Sequence, residues 1–551
     1  MATTEPLDNG LRARLEPVLP KGRQFGIFHL STPPTKSAAL YSAPPNERPD
    51  RTFCESHFLA VSIKTPTENG DVAPDEKHKN VLVLGVEILL YSTIHTTTLF
   101  VSKADSTGYL NLLKLPKGTP SPIREVCGAF ISHLVEKRRR KDKQFVVSLF
   151  ARAQSQYLFP GSVKNNGKHV LDDRGLVKWW CRVLSPLLET PPKGSLPPWG
   201  SVRGYLVVPG LEEYETRAFL PRTLLPSWSL THPLERISHY TKEFDWVPPR
   251  CLIPRYPDDP KSRFRDELDE EAAQSGAMRK AGTWQSVKTL DMFWEMMAFR
   301  QECSSGRMTG FIWVVFDDEP QDGMPPAAPE TPRKQQRTID ISTPGTTPRK
   351  LFGGTTAPSA KSQRAATEKK RAEDRKRKKS RKLRGIIITR PPRVKTEQKN
   401  YLLERCPPST PYYFWPAGGR GERIVGESAY KRIVELLLHL DFATLDKAAG
   451  STRRWVGEVG MGSPWGYDVT GTMEVAAGTG DGDVKVPQVN NLSGLVKRKR
   501  SSAAETAEAA EDGAVKVLGA GLVRKKSKSD APEEGHAAVL SAGLVPKKEK
   551  A

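Results

Sequence analysis

Residues 145 to 180 constrain the fold more than any other part of the sequence. The segment begins with an apolar run, Phe145 to Phe150, whose length predicts a buried strand. A polar stretch follows, and Asp172-Asp173 is placed to begin a helix that carries the adjacent residues Trp179 and Trp180. Because neighbouring helical residues point about 100° apart, the two rings cannot both face the same core. The segment therefore predicts a strand, a loop and a helix, with one tryptophan lining a functional surface.

The loop between this strand and this helix is rich in donors and acceptors that a plain core would avoid. It contains Arg152, Gln154, Ser155, Gln156 and Tyr157. Taken alone, such a segment is most simply interpreted as a polar surface loop, and a binding loop is the alternative.

Other elements follow from apolar periodicity. Strands are predicted over Phe25–Leu30, Phe53–Ile63, Val81–Tyr91, Thr96–Ser102, Gly204–Val208 and Gly310–Phe316. Helices are predicted over Leu11–Glu16, Ser121–Lys141, Pro260–Ala273, Leu290–Cys303 and Tyr430–Leu438. The chain therefore contains both strands and helices, and the fold class predicted for it is α/β.

The positive charge is concentrated in one low-complexity segment. The chain has a net charge of +22, and residues 331–400 contribute 22 Lys and Arg against 5 Asp and Glu. We therefore predict a folded core over residues 1–317, a disordered basic insert over 318–400, a C-terminal part of the fold over 401–460 and a disordered basic tail over 461–551. The insert is a candidate for non-specific DNA contact. Residues 320–398 are expected to be dispensable for folding.

Two basic tracts, Arg375–Arg384 and Lys497–Arg500, are predicted to be nuclear-import signals, with simple solubilising charge as the alternative. The tail also repeats the pattern Gly-Leu-Val followed by basic residues, starting at Gly494, Gly521 and Gly543. The repeats are typical of short linear motifs.

Several classes of protein are excluded. The six cysteines are scattered singly, which argues against a disulfide framework and a cysteine zinc site, so no metal is expected. The longest apolar run, Val81 to Tyr91, is too short for a membrane span and contains Glu87. The amino terminus lacks the pattern of a signal peptide. We expect a soluble intracellular protein without membrane contact.

Three separated motifs carry a family resemblance. They are Val101–Tyr109, the blocks Leu149–Pro160, Lys168–Leu171 and Lys178–Trp180 of the central segment, and Ile253–Phe264. Together they resemble the fungal histone acetyltransferase family that modifies lysine fifty-six of histone H3. This resemblance implies a mixed central β-sheet with packed helices, similar to the CREB-binding-protein acetyltransferases, and acetyl-CoA as co-substrate. In agreement, the sequence lacks the Gly-rich phosphate loop of the commonest acetyltransferase superfamily.

The resemblance also implies which residues contact the cofactor: Ala104, Asp105, Ser106, Phe150, Arg152, Gln154, His169, Val170, Leu171 and Trp179. Separately, a loop just ahead of the Ser121 helix offers a lysine and free backbone amides to phosphate, through Lys117, Gly118 and Thr119. Two of these positions have simpler interpretations. His169 is also typical of an ordinary structural histidine, and Asp105 of a turn residue before Thr107-Gly108.

The catalytic group implied by the resemblance comprises Asp259, Asp258, Asp105, Trp180 and Tyr157, with Lys261 as an autoacetylated lysine. The sequence itself gives Asp259 a second interpretation, as the N-cap of a helix with Pro260 at its first position. We expect the Lys261 ammonium to pair with Asp258 or Asp259 and to lower the pKa of the carboxyl groups, so that acetylation acts as a charge switch. The alternative is that acetyl-lysine acts only by packing.

The predicted function is therefore histone lysine acetylation in the nucleus. The partners implied by the family are histone H3 with H4 and histone chaperones of the nucleosome-assembly and anti-silencing types. The alternative is a non-catalytic histone or chromatin-binding adaptor whose basic insert does the binding.

Overall fold

The computed structural model describes residues 10–66, 78–116, 118–276, 282–301, 303, 306–318 and 406–474. All the described residues belong to one compact unit. The predicted insert beyond Asp318, the import tracts and the tail repeats lie outside the described residues, as does Lys117. In the described part of the chain, no helix has the length and hydropathy needed to cross a membrane.

The strands form one mixed sheet in the order β10-β1-β3-β4-β5-β6-β9-β7-β8, with β11 paired to β1 and β2 paired to β3. Their bounds are β1 Gln24–Ser31, β2 Thr35–Ser37, β3 Thr52–Pro66, β4 His78–Ser92, β5 Thr96–Ser106, β6 Gln144–Ala151, β7 Ser201–Val207, β8 Trp228–Ser229, β9 Gly310–Asp317, β10 Arg423–Ile424 and β11 Tyr467–Thr470. Every predicted strand is present, and the predicted mixed sheet with packed helices is confirmed.

Helices cover both faces of this sheet. Their bounds are α1 Gly10–Leu15, α2 Pro122–Arg138, α3 Asp173–Glu189, α4 Glu213–Arg217, α5 Leu234–Ile237, α6 Tyr240–Glu243, α7 Pro260–Gln274, α8 Leu290–Ala298, α9 Glu427–Leu438 and α10 Leu445–Gly460. The core that contains α2, α3, α9 and α10 is separate from the core that contains α7 and α8. Two layers of helices therefore enclose a largely buried sheet.

Several predictions about element ends were wrong, including the helix predicted to run to Lys141, which ends at Arg138. The helix predicted to run to Cys303 ends at Ala298, and a turn follows in which the Cys303 amide donates to the Arg300 carbonyl. The fold also continues beyond the boundary predicted at residue 460. Strand β11 pairs with β1, and Trp465 packs against Phe28 with ring centroids 5.2 Å apart. The start of the predicted tail therefore completes the edge of the sheet.

Strands β5 and β6 open the sheet at one point. They pair in parallel only as far as Phe100 and Ser148, after which β5 continues beside β4 and β6 continues beside β9. A β-bulge between Glu87 and Ile88 of β4 lies at the same level, and bulges bend strands away from their neighbours. The two strands separate toward their carboxyl ends, which creates a crevice of the kind that holds ligands in open sheets.

Candidate active site

The crevice between β5 and β6 is part of a cavity of about 650 Å³, called the cleft below. Its walls come from β5, β6, the loop after β6, the amino-terminal halves of α2 and α3, and the turn before α7. The cleft is lined by Leu84, Val101, Ser102, Lys103, Ala104, Asp105, Ser106, Ser121, Ile123, Leu149, Phe150, Arg152, Ala153, Gln154, Tyr157, Lys168, His169, Val170, Leu171, Leu176, Trp179, Trp180, Asp258 and Arg263. The three resembling motifs therefore converge on one site.

Asp105 holds the cleft together. One of its carboxylate oxygens accepts hydrogen bonds from the backbone amides of Tyr157 and Leu158 at 2.7 and 2.9 Å. The other accepts from the Lys168 ammonium at 2.8 Å, and the side chain of Lys168 is only 5% exposed. Since both oxygens are engaged, Asp105 is suited to positioning the loops rather than to moving a proton.

Gly108 allows the second loop to approach. It adopts a positive φ of 87°, and a Cβ atom there would lie 2.5 Å from the backbone of Lys168. Only glycine tolerates both conditions. The segment that carries His169, Val170 and Leu171 can therefore lie against the end of β5.

Asp173 fixes the polar loop after β6 against α3. Its carboxylate accepts hydrogen bonds from the Ala153 amide at 2.7 Å and from the Met308 amide at 3.1 Å. The neighbouring Asp172 caps α3 by accepting from the Gly175 amide, as predicted for the start of this helix. The polar loop after β6 is thus hydrogen-bonded to α3 and forms one wall of the cleft.

Trp179 and Trp180 both line the cleft, whereas the sequence predicted that one of them would. Their rings meet edge to face with centroids 4.9 Å apart. Trp180 is 5% exposed and belongs to the core, while Trp179 is half-buried and packs against it. The assignment of Trp180 to the catalytic group and of Trp179 to the cofactor contacts stays a prediction.

Asp258 and Tyr157 face each other across the cleft. The Tyr157 hydroxyl lies 3.4 Å from a carboxylate oxygen of Asp258. Asp258 has a positive φ of 58°, a conformation that aspartate tolerates better than most residues. Burial, together with the nearby Asp258 charge, raises the pKa of Tyr157 to about 12. The phenol therefore stays protonated at neutral pH.

Asp259 and Lys261 do not line the cleft. Both side chains are fully buried and form an ion pair, called the buried pair below. Asp259 also caps α7 by accepting from the Lys261 amide at 3.0 Å, which confirms the N-cap interpretation. The Lys261 ammonium lies 4.9, 5.3 and 5.9 Å from the ring centroids of Tyr256, Phe311 and Trp313.

The pKa of Asp259 is raised, whereas the sequence predicted that Lys261 would lower it. Burial raises the pKa of Asp259 and outweighs the lowering by Lys261. Burial likewise lowers the pKa of Lys261, against the raising effect of Asp259. Lys261 pairs with Asp259 as predicted. Burial nevertheless shifts the pKa values of both groups toward their neutral forms, because neither charge is hydrated.

The predicted phosphate loop contributes little to the cleft. Gly118 and Thr119 lie outside the lining, and the Thr119 hydroxyl donates to the Pro116 carbonyl at 2.7 Å. The next residues along the chain, Ser121 and Ile123, do line it. The first turn of α2 therefore lies at the cleft, and its amides provide positive potential there.

Sequence reasoning missed several lining residues. Lys168 was part of a recognised motif, but its ion pair with Asp105 joins residues 63 positions apart and has no local signal. Lys103 pairs with Glu87 of the neighbouring strand at 2.7 Å. Arg263 and Ile123 lie on the first turns of α7 and α2. The available signal was the predicted start of each helix next to a cleft motif.

Comparisons with known proteins identify the family of this chain. The sequence profile of the histone acetyltransferase KAT11-type domain matches residues 11–146 and 141–458. Histone acetyltransferase rtt109 of Aspergillus flavus is 37% identical over 95% of this chain and 100% of that protein. Histone acetyltransferase rtt109 of Schizosaccharomyces pombe is 31% identical over 53% of this chain and 68% of that protein.

A solved structure is also similar. The crystal structure of Rtt109 from Aspergillus fumigatus matches with a TM-score of 0.60 and 36% identity, covering 84% of this chain and 100% of that one. The resemblance drawn from the sequence motifs is confirmed. The chain belongs to the KAT11-type histone acetyltransferase family, and it is an enzyme of that activity.

Proposed function

We propose that this acetyltransferase modifies lysines of histone H3 carried in complex with H4, lysine fifty-six among them, and that it depends on histone chaperones. The observation that carries the proposal is the cleft, which brings together every cofactor contact implied by the family: Ala104, Asp105, Ser106, Phe150, Arg152, Gln154, His169, Val170, Leu171 and Trp179. Family membership disfavours the alternative of a non-catalytic adaptor.

The residues of the cleft fit acetyl-CoA. Val170 is 40% exposed although it is apolar, so a ligand there would cover it. Arg152 lines the cleft, and its Nε atom is buried without a hydrogen-bond partner among the described residues. That guanidinium and the first turn of α2 suit the anionic phosphates of the cofactor. Acetyl-CoA supplies the acetyl group as a thioester.

The histone lysine must lose a proton before it can attack. Deprotonating a free lysine costs roughly 4–5 kcal/mol at neutral pH. Asp258 is the exposed carboxylate of the cleft and is suited to accept that proton directly or through a water molecule. Tyr157 donates to Asp258 rather than acting as a base, because its pKa is raised to about 12.

A reconstituted assay tests the proposal. Purified protein is mixed with acetyl-CoA and histone H3–H4, alone and with a chaperone of the nucleosome-assembly or anti-silencing type, and mass spectrometry identifies the modified lysines. We expect strong stimulation by chaperone and acetylation of lysine fifty-six. Acetylation that never reaches H3, or that is equally fast without chaperones, would contradict the finer assignment.

We further propose that the protein acts in the nucleus and that the basic insert contacts DNA without sequence preference. The support is the charge of residues 331–400 and the two basic tracts, Arg375–Arg384 and Lys497–Arg500. Deleting both tracts is expected to move the protein to the cytoplasm while purified activity is retained. Continued nuclear retention would overturn the assignment of the signals.

A further inference from the structure

A second cluster of chemically active side chains lies far from the cleft. Asp50, His95 and His239 come from the segment before β3, the turn between β4 and β5, and the link between α5 and α6. One ligand atom from each, a carboxylate oxygen or an imidazole nitrogen, lies within 4.8 Å of the other two. His95 immediately precedes β5, whereas the cleft is at the other end of that strand. The nearest cleft residue of that strand is Val101, and its separation from His95 is roughly 20 Å along an extended strand.

The cluster is not explained as an ordinary ion pair. The His239 Nε2 atom lies 3.4 Å from the Asp50 carboxylate, which is longer than the roughly 2.7–2.9 Å of a charge-assisted hydrogen bond. An imidazole nitrogen that is not held in a short hydrogen bond can serve as a metal ligand.

The two imidazole rings are stacked face to face. Their planes are 5° from parallel, and the ring centroids of His95 and His239 are 3.9 Å apart. The Glu243 carboxylate on α6 adds further negative charge near Asp50. The nitrogen and oxygen donor atoms of the three side chains thus lie close together beside additional negative charge, and a cation bound there would offset that charge.

The ligand positions are held by the surrounding backbone. The Thr93 hydroxyl accepts hydrogen bonds from the His95 and Thr96 amides at 3.2 and 3.1 Å, which fixes the turn that carries His95. Arg140 donates to the Thr96 carbonyl at 2.8 Å. The Asp50 and His239 side chains are 20% and 12% exposed, so the cluster is partly shielded and still reachable from solvent.

We propose that Asp50, His95 and His239 bind a divalent transition-metal ion. Two imidazoles and one carboxylate form a ligand set typical of zinc, with a remaining position for water, and it is unsuited to Mg²⁺ or Ca²⁺, which prefer all-oxygen sites. The metal would join the β4–β5 turn to the segments that carry Asp50 and His239. Its role would be to tie these segments together, separately from acetyl transfer.

Metal binding by untagged full-length protein tests this. Zinc content after gel filtration is measured for the wild type, for the double variant His95→Gln/His239→Gln and for the control His439→Gln, an exposed histidine beyond α9. We expect the wild type and the control to retain one zinc ion per chain that the double variant lacks. A chelator competition should show affinity for zinc at least tenfold weaker in the double variant. Equal zinc retention in all three proteins would overturn the proposal.

A second measurement covers the case in which the double variant folds poorly. The melting temperatures of the wild type and of Asp50→Asn are compared in Zn²⁺, Mg²⁺ and a chelator. We expect Zn²⁺ alone to raise the melting temperature of the wild type, and the rise to be reduced in Asp50→Asn. Cobalt substitution should give visible absorption bands in the wild type. No zinc-dependent shift in the wild type, or an equal shift with Mg²⁺, would contradict the site.

Discussion

Asp258 and Asp259 are neighbours in sequence, but they lie in two regions of opposite character. Asp258 is exposed to the cleft, opposite the Tyr157 hydroxyl. Asp259 is fully buried in the core, where it caps α7 and pairs with Lys261. A carboxylate that faces open space can exchange protons with a substrate, whereas one enclosed with a lysine cannot reach it. Identical side chains thus lie in different environments because the backbone points them in different directions.

The largest expected effect comes from breaking the buried pair. Asp259→Ala removes the helix cap and leaves the Lys261 ammonium unpaired inside the protein. We expect a loss of about 3–5 kcal/mol in the free energy of unfolding, measured by urea denaturation. The double variant Asp259→Ala/Lys261→Met should recover much of this loss because it leaves no buried charge.

The matched control is Asp266→Ala, on the same helix. The Asp266 side chain is 55% exposed, so its removal should cost about 0–1 kcal/mol. A double variant no more stable than Asp259→Ala would show that the cap, and not the charge, accounts for the loss.

Substitution of Lys261 separates charge from packing in the buried pair. Lys261→Arg keeps the charge and blocks acetylation, but its larger head group must fit among the rings of Tyr256, Phe311 and Trp313, at a cost of about 1–3 kcal/mol. Lys261→Gln removes the charge and so raises the pKa of Asp259 further. If acetylation is a charge switch, Lys261→Gln should have a turnover well above that of Lys261→Arg. The pH–rate profile of Lys261→Arg should be shifted from that of the wild type. Equal defects with unshifted profiles would favour packing.

Changes to the two tryptophans sharpen the description of the cleft. Trp179→Ala is expected to weaken acetyl-CoA binding by about tenfold, since it removes a half-buried aromatic surface. Trp180→Phe should reduce turnover severalfold without loss of cofactor affinity. Calorimetric titration and steady-state kinetics measure the two effects, with Trp246→Ala, 62% exposed, as the control. If both cleft variants only lower the melting temperature, the pair is part of the core alone.

Most of the architecture could be predicted because apolar periodicity reports burial. The predicted strands and the start of α3 at Asp172-Asp173 are all found in the structure. Strand β11 could not be predicted, because only Val469 of its four residues is buried and its pairing with β1 joins distant parts of the chain. Short strands at a sheet edge have too few residues for a periodic signal.

Many of the residues that line the cleft could be predicted, but Gly118, Thr119, Asp259 and Lys261 lie outside it, and the side-chain orientations could not be predicted. The motifs identified the segments that meet at the cleft, yet the direction of Asp258 depends on a positive φ that the sequence does not reveal. Asp105 likewise serves the loops, through hydrogen bonds to backbone amides over 50 residues away. Such contacts depend on the folded topology and leave no local pattern.

The comparison of Asp258→Asn with Asp259→Asn tests the central claim most directly. Turnover on H3–H4 with chaperone, acetyl-CoA affinity and melting temperature are measured for both variants. The account predicts that Asp258→Asn lowers turnover by about 10²-fold at unchanged melting temperature and cofactor affinity, because it removes a proton acceptor in the cleft. Asp259→Asn should instead lower the melting temperature. Near-normal turnover in Asp258→Asn, or a loss of stability that accounts for its loss of activity, would contradict the division of roles between the two aspartates.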